Sequence, residues 1–254
     1  METKIKNRLK EIEEIHKVKI LYACETGSRA WGFPSPDSDF DVRMIYMHEP
    51  DWYLTLSDKK DTIEIMLEDG ELDITGWDIK KCLKLMWKSN GALLERVQSP
   101  FVYKEEKNIA SVLKEYAYRC FVPIATMHHY IGMAKNSFSE IEGKDDIKLK
   151  KLFYALRATL ACKWILEKDS VPPIVFMNMV NELSFEKVLK DKIISLIELK
   201  SGKAESYIHS AEKELNIFIT EELKKTEKAF ESLPGRKEKD VDLDTLFRQI
   251  VKNY

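Results

Sequence analysis

Between Thr26 and Arg43 the chain reads T-G-S-R-A-W-G-F-P-S-P-D-S-D-F-D-V-R. It is entered from the apolar run Val18-Lys19-Ile20-Leu21-Tyr22-Ala23, which reads as a buried strand. Gly27-Ser28 makes a turn, Pro34 and Pro36 punctuate a loop, and Asp39-Phe40-Asp41-Val42 alternates polar and apolar residues. Residues i and i+2 of a strand share a face, so Asp39 and Asp41 project together while Phe40 and Val42 turn to the core. Two carboxylates held side by side repel, and a divalent cation with a taste for hard oxygen ligands relieves that repulsion. Backbone N–H groups at the Gly27-Ser28 turn, which leads toward a short helical piece, suit an anion. A phosphate cradle beside a metal-binding carboxylate pair is the chemistry of nucleotidyl transfer.

Working outward, Ile5, Leu9, Ile12 and Ile15 recur on one face of a predicted amphipathic helix from Glu2 to His16. Beyond Asp41 the strand continues through Met44-Ile45-Tyr46-Met47 and stops at Glu49-Pro50. Asp61–Met66 alternates as a further strand, Glu68-Asp69-Gly70 reads as a hairpin turn, and Glu71–Thr75 as the returning strand. On that strand Asp73 is in phase with Glu71 and Thr75, opposite Leu72 and Ile74. Trp77 to Lys88 reads as a helix, with Ile79, Leu83 and Met86 on one side.

From about Glu105 the strand signals vanish and helical periodicity takes over. Leu149, Leu152, Phe153, Leu156 and Leu160 form one apolar stripe, and Val188, Ile193, Ile194, Ile197 and Leu199 a broader one. Pro172-Pro173 and Pro234-Gly235 break the helices, and Glu205 to Glu231 reads as one long helix. The expected fold class is α+β: a mixed sheet with helices over residues 1–104, then an all-helical region, 105–254, packing on it.

The 254 residues carry 44% hydrophobic and 33% charged side chains, ample for a sizeable core. A net charge of −2 argues against tight nonspecific binding to nucleic acid, while leaving room for a local basic groove. Cys24, Cys82, Cys120 and Cys162 lie far apart without a C-x-x-C pair, which fits packing in a reduced compartment rather than a disulfide framework. No apolar leader opens the chain and no run approaches a membrane span, so the expected location is the cytoplasm.

G-S followed by D-x-D on a strand resembles the signature of the polymerase-β-type nucleotidyltransferase superfamily. The longer string G-S-R-A-W-G-F-P-S-P-D-S-D-F-D-V-R, with E-L-D-I-T-G-W-D after it, resembles the narrower RlaP-like (YcgL-like) group of predicted nucleotidyltransferases. The likeness extends to K-L-F-Y-A-L-R-A-T-L-A-C-K-W-I and P-P-I-V-F, and so covers most of the chain. It implies a polymerase-β-like core and a third metal-binding carboxylate. Spacing alone does not select Asp73 over Glu71 or Glu64; the resemblance selects Asp73.

On this reading Asp39, Asp41 and Asp73 hold two Mg²⁺ or Mn²⁺ ions ~4 Å apart, and Asp73 also serves as general base. Gly27 and Ser28 contact the phosphates, Gly27 because a side chain would block close backbone approach. Arg29 either pairs with a phosphate or makes a structural salt bridge, and Arg43, on the face of Asp41, is expected to pair with an acid. Lys151, Tyr154 and Arg157, three apart on one helix, are expected at the nucleotide, with Lys150 able to replace Lys151. Lys88-Ser89-Asn90, at the end of a predicted helix, either contacts substrate or, the reading preferred, caps the helix with Asn90. Adjacent His128 and His129 lack the spacing of a zinc pair, and Trp52, Tyr53, Trp77 and Trp87 are read as packing residues.

The function expected is transfer of an NMP from an NTP to an acceptor hydroxyl. Relatives in the superfamily modify RNA ends, small molecules or proteins, and the narrower family is associated with RNA repair, so an RNA end is the acceptor considered first. The alternative is a noncatalytic nucleotide-binding or interaction module, such as an antitoxin-like partner of another protein. Neither the preferred NTP nor the oligomeric state is written in the sequence.

Overall fold

The computed structural model describes residues 1–66, 71–235 and 240–253. In chain order the first elements are α1 (Glu2–His16), β1 (Lys19–Glu25), α2 (Gly27–Trp31), β2 (Phe40–Met47), α3 (Pro50–Tyr53) and β3 (Thr62–Met66). Next come β4 (Leu72–Asp78), α4 (Ile79–Trp87), α5 (Gly91–Arg96), β5 (Val102–Glu105), α6 (Ile109–Arg119) and α7 (Pro123–Ser139). The remainder is β6 (Asp146–Lys148), α8 (Leu149–Lys168), α9 (Phe176–Glu182), α10 (Lys187–Ser201), β7 (Ile208–Ser210), α11 (Lys213–Ala229) and α12 (Leu243–Asn253). The α+β class expected from the sequence is the one observed. Among the described residues no helix is long and apolar enough to cross a membrane.

The chain divides into two compact units, residues 1–27, 39–120 and 238–254 in one and 28–38 with 121–237 in the other. The division thus differs from a single cut near residue 104. The motif loop after Gly27 belongs with the helical residues, whereas α6 and α12 belong with the sheet.

In the first unit five strands form one sheet in the order β3-β4-β2-β1-β5. The β2–β4 pair is parallel and the other pairs are antiparallel. The parallel register sets Asp41 opposite Asp73 and Arg43 opposite Thr75. The sheet closes on α1, whose Ile5, Leu9 and Ile12 are buried with Ile20, Val42, Met44 and Ile74. Ile15, assigned by periodicity to the same face, is exposed in the last turn. Trp77 lies within β4 rather than opening a helix, and Asp78, the last residue of β4, caps α4 by accepting from the Lys80 N–H at 2.8 Å. Asn90 is a cap, but of the helix that follows: its Oδ1 accepts from the Leu93 N–H at the start of α5. The expected turn at residues 68–70 lies outside the described residues, while β3 and β4 do pair antiparallel on either side of it.

In the second unit α7 and α11 both pack on α8. The predicted stripe Leu149, Leu152, Phe153, Leu156 and Leu160 is buried throughout, and each such side chain stabilises the unit by roughly 1.5–3 kcal/mol. Two expectations need correction. Strand structure does not end at residue 105, since β6 and β7 pair antiparallel. The long helix from Glu205 is instead β7 followed by α11, because the residues before Lys213 pair with β6 and are not free to continue the helix backward. On α10 the buried side is Ile193, Leu196 and Lys200, with Val188 exposed.

Candidate active site

Asp41 and Asp73 come from neighbouring parallel strands and meet at a shared cation. Arg43 Nη2 lies 3.0 Å from Asp41 Oδ1 and 2.8 Å from Asp73 Oδ2. Two bonds of that length to one nitrogen confine the two carboxylate oxygens to within the sum of those lengths of each other. The expected pairing of Arg43 with an acid is therefore present, and it involves two acids. Asp39 stands exposed one residue before β2, not within it.

Gly27 stands against the same carboxylate. Its φ is +63°, and a Cβ there would come to 2.2 Å from Asp41 Oδ2, a separation no side chain tolerates. Glycine lets the turn press onto the acid, and Thr26 fixes the approach by donating from both its backbone N–H (2.9 Å) and its hydroxyl (3.0 Å) to the Asp41 carbonyl.

The sequence reading passed over the groups that support this pair. Glu25, fully buried at the end of β1, accepts from the Asp41 backbone N–H at 2.7 Å and from the Tyr103 hydroxyl. Ser99 in turn donates to the Glu25 carbonyl at 2.6 Å. Arg96, on α5, is buried with its guanidinium 3.2 Å from the centre of the Trp77 ring. Burial first, and then the nearby charge of Arg43, bring its pKa down to about 9 against the opposing pull of Cys24, Cys82 and Asp73. Its Nη1 has no hydrogen-bond partner among the described residues. Cys24 and Cys82 are buried thiols pushed up to about 12 by desolvation, so neither is a ready nucleophile. The signal for Glu25 and Arg96 was a charge set inside an apolar run, Leu21–Cys24 before one and Leu93-Leu94 before the other.

The donor set suits a hard divalent cation, because two carboxylate oxygens already converge on one positive point. Among the described residues no three His, Cys, Asp or Glu side chains form a ready-made metal cluster. Asp39 would have to join the pair to complete the set of three.

The second unit carries the other predicted residues. Ser28 donates to Ser38 Oγ at 3.2 Å, and Arg29 Nη2 donates to the Ser38 carbonyl at 2.6 Å, so Arg29 is tied within the motif loop. Lys151 ion-pairs with Glu140 at 2.8 Å on the surface. Lys150 instead pairs with Glu205 and lies 5.6 Å from the Tyr154 ring centre. Tyr154 meets Trp31 edge-on, and the buried Arg157 stacks 4.1 Å from the Trp31 ring centre. Tyr154 and Arg157 are thus brought together with Lys150, and Lys151 is turned toward Glu140.

Comparison with known proteins gives the context. The pattern of the RlaP family, described as an RNA repair pathway DNA polymerase beta family, matches residues 1–249. A Bacillus subtilis (strain 168) protein known as uncharacterized protein YcgL is 40% identical over 237 residues, covering 93% of this chain and 91% of its own. A solved nucleotidyltransferase-like protein from Exiguobacterium sibiricum 255-15 is 12% identical with a TM-score of 0.33, covering 90% of this chain and 75% of that one. With the match running almost from end to end, and the acids and glycine of its motif in contact through Arg43 and Gly27, this chain belongs to the RlaP family.

Proposed function

We propose that the protein is a divalent-cation-dependent nucleotidyltransferase that moves an NMP from an NTP to an acceptor hydroxyl. The observation that carries this reading is the meeting of Asp41 and Asp73 on one cationic point, on adjacent parallel strands. Asp41, Asp73 and Asp39 would hold Mg²⁺ or Mn²⁺, which when bound neutralises phosphate charge and lowers the pKa of a coordinated hydroxyl. Asp73 is the carboxylate that takes the hydroxyl proton. Gly27 admits a phosphate oxygen close to the backbone, and Ser28, next in the chain, offers a hydroxyl. Glu25 keeps the Asp41 backbone from shifting. Lys150, in place of Lys151, is the phosphate cation, with Tyr154 and Arg157 beside it. The family's description as part of RNA repair supports an RNA 3′ end as acceptor.

The test is incubation with each labelled NTP, Mg²⁺ or Mn²⁺, and RNA, small-molecule and protein acceptors. Incorporation of NMP that disappears in Asp41→Ala and Asp73→Ala supports transfer; no incorporation with any combination refutes it. One observation favours a second reading, a noncatalytic nucleotide-binding module: Arg43 already gives each carboxylate a counter-charge. A thermal shift with ATP and Mg²⁺ that survives Asp73→Ala, without turnover, would select it.

A further inference from the structure

The helical unit contains a lysine where none belongs. Lys200 lies on the buried side of α10 with Ile193 and Leu196 and is only 2% exposed. Its ammonium donates to Ser35 Oγ at 2.9 Å, a neutral partner, with the Phe33 ring centre 5.6 Å away. A buried ammonium is costly without an anion. Burial lowers its pKa, and the Lys150 charge lowers it further, while Glu205 and Asp37 act the other way.

Glu205 is the anion at the centre of this group. One of its oxygens accepts from Ser38 Oγ at 2.8 Å and the other from Lys150 Nζ. Its backbone N–H is held by Asp37 Oδ1 at 2.8 Å, which fastens the segment after α10 to the motif loop. Ser38 Oγ also accepts from the Ser35 N–H and from Ser28 Oγ. One ammonium and one buried hydroxyl bond the Glu205 carboxylate directly, and Ser28, Ser35 and the Lys200 ammonium join them through Ser38, a linked set of donors of the kind that oligophosphates recruit. For Lys150, burial works against the charge, but the bond to Glu205, its negative charge and the Tyr154 hydroxyl together raise the pKa.

We propose that Lys150, Lys200, Ser28, Ser35 and Ser38 form an oligophosphate-binding site, and that the Glu205 carboxylate holds the anion position until a phosphate displaces it. The site deepens the transferase reading by naming where an NTP's phosphates bind in this unit, yet phosphate binding is measurable without any transfer.

The experiment is titration calorimetry of the full chain with inorganic triphosphate in EDTA. Glu205→Gln should bind about tenfold more tightly than the parent, and Lys200→Met and Lys150→Met each about tenfold more weakly. Lys200→Met nearly preserves length, and its fold is checked by circular dichroism; Lys150, at the edge of the site, gives a second reading should Lys200→Met misfold. Unchanged binding in both lysine variants, weaker binding in Glu205→Gln, or no binding by parent and Glu205→Gln alike overturns the proposal. Should NMP transfer fail with every acceptor while the triphosphate affinities follow this order, the transferase reading falls and the phosphate site stands. Should Asp41→Ala abolish transfer while the lysine variants bind as the parent does, the reverse holds.

Discussion

Replacing Arg43 by methionine keeps most of its length and removes the charge shared by Asp41 and Asp73. The side chains involved are 19% exposed for Arg43 and 34% for each acid, neither surface nor interior. Exposed pairs contribute about 0.2–1 kcal/mol, and breaking a buried pair costs about 3–5 kcal/mol, so this loss should be about 1–3 kcal/mol. The loss arises from the two carboxylates left facing each other as much as from the broken bonds. At about 2–4 °C per kcal/mol for a chain of this size, the melting temperature in EDTA should fall on the order of 5 °C. Mg²⁺ or Mn²⁺ should then restore more stability to Arg43→Met than it adds to the parent, because the ion enters a site no longer held by a competitor. Melting curves by circular dichroism, with and without each metal, and Mn²⁺ binding followed by electron paramagnetic resonance test both halves. A variant that melts with the parent, or binds Mn²⁺ more weakly, would refute the idea that Arg43 stands where the cation goes.

Gly27→Ala must adopt a left-handed φ and push its Cβ to 2.2 Å from Asp41 Oδ2, so it should lose about 1–3 kcal/mol and its Mn²⁺ binding together; urea unfolding and Mn²⁺ titration check this. Glu25→Gln should destabilise by about 1–3 kcal/mol, since the buried group bonded to the Asp41 N–H and Tyr103 cannot satisfy both as before, and Tyr103→Phe should cost less. Asp78 is buried and its pKa raised, first by desolvation, although the Tyr53 hydroxyl at 2.8 Å opposes the shift. A raised carboxylate pKa gives stability that is full below the unfolded-state value and lost as pH rises through the folded one. Asp78→Asn, which keeps the cap acceptor, should therefore flatten the fall in unfolding free energy seen as pH rises above about 4. An unchanged slope would remove Asp78 as its source.

How much was legible depends on whether the information was local. Strand periodicity placed Asp41 and Asp73 on strands and Arg43 on the face of Asp41, because alternation is a property of adjacent residues. It did not show that Asp41 and Asp73 stand opposite each other. That follows from the parallel pairing of β2 with β4, separated by β3 and a long connection, and no local pattern encodes it. The choice between Lys150 and Lys151 turned on a rotation of about 100° on one helix, which only the partners Glu205 and Glu140 resolve. Lys200 had a local signal, a charge four and seven positions along from Leu196 and Ile193 on an apolar face, but its partner Ser35 is remote in sequence.

The two charge clusters follow one physical rule. Like charges gathered by a fold cost too much to stay uncompensated, so each cluster is held by a side chain of opposite sign: Arg43 for the carboxylates, Glu205 for Lys150. If these are the places of a metal ion and a phosphate, binding is an exchange of counter-ions. Removing the internal counter-ion must then lower stability and raise affinity at once, since the same interaction supports the free fold and opposes the ligand. A salt bridge that serves only the fold lowers stability and leaves affinity where it was or weakens it. The sign of the affinity change in Arg43→Met and Glu205→Gln therefore separates a binding site from a structural ion pair, and the size of the stability loss does not.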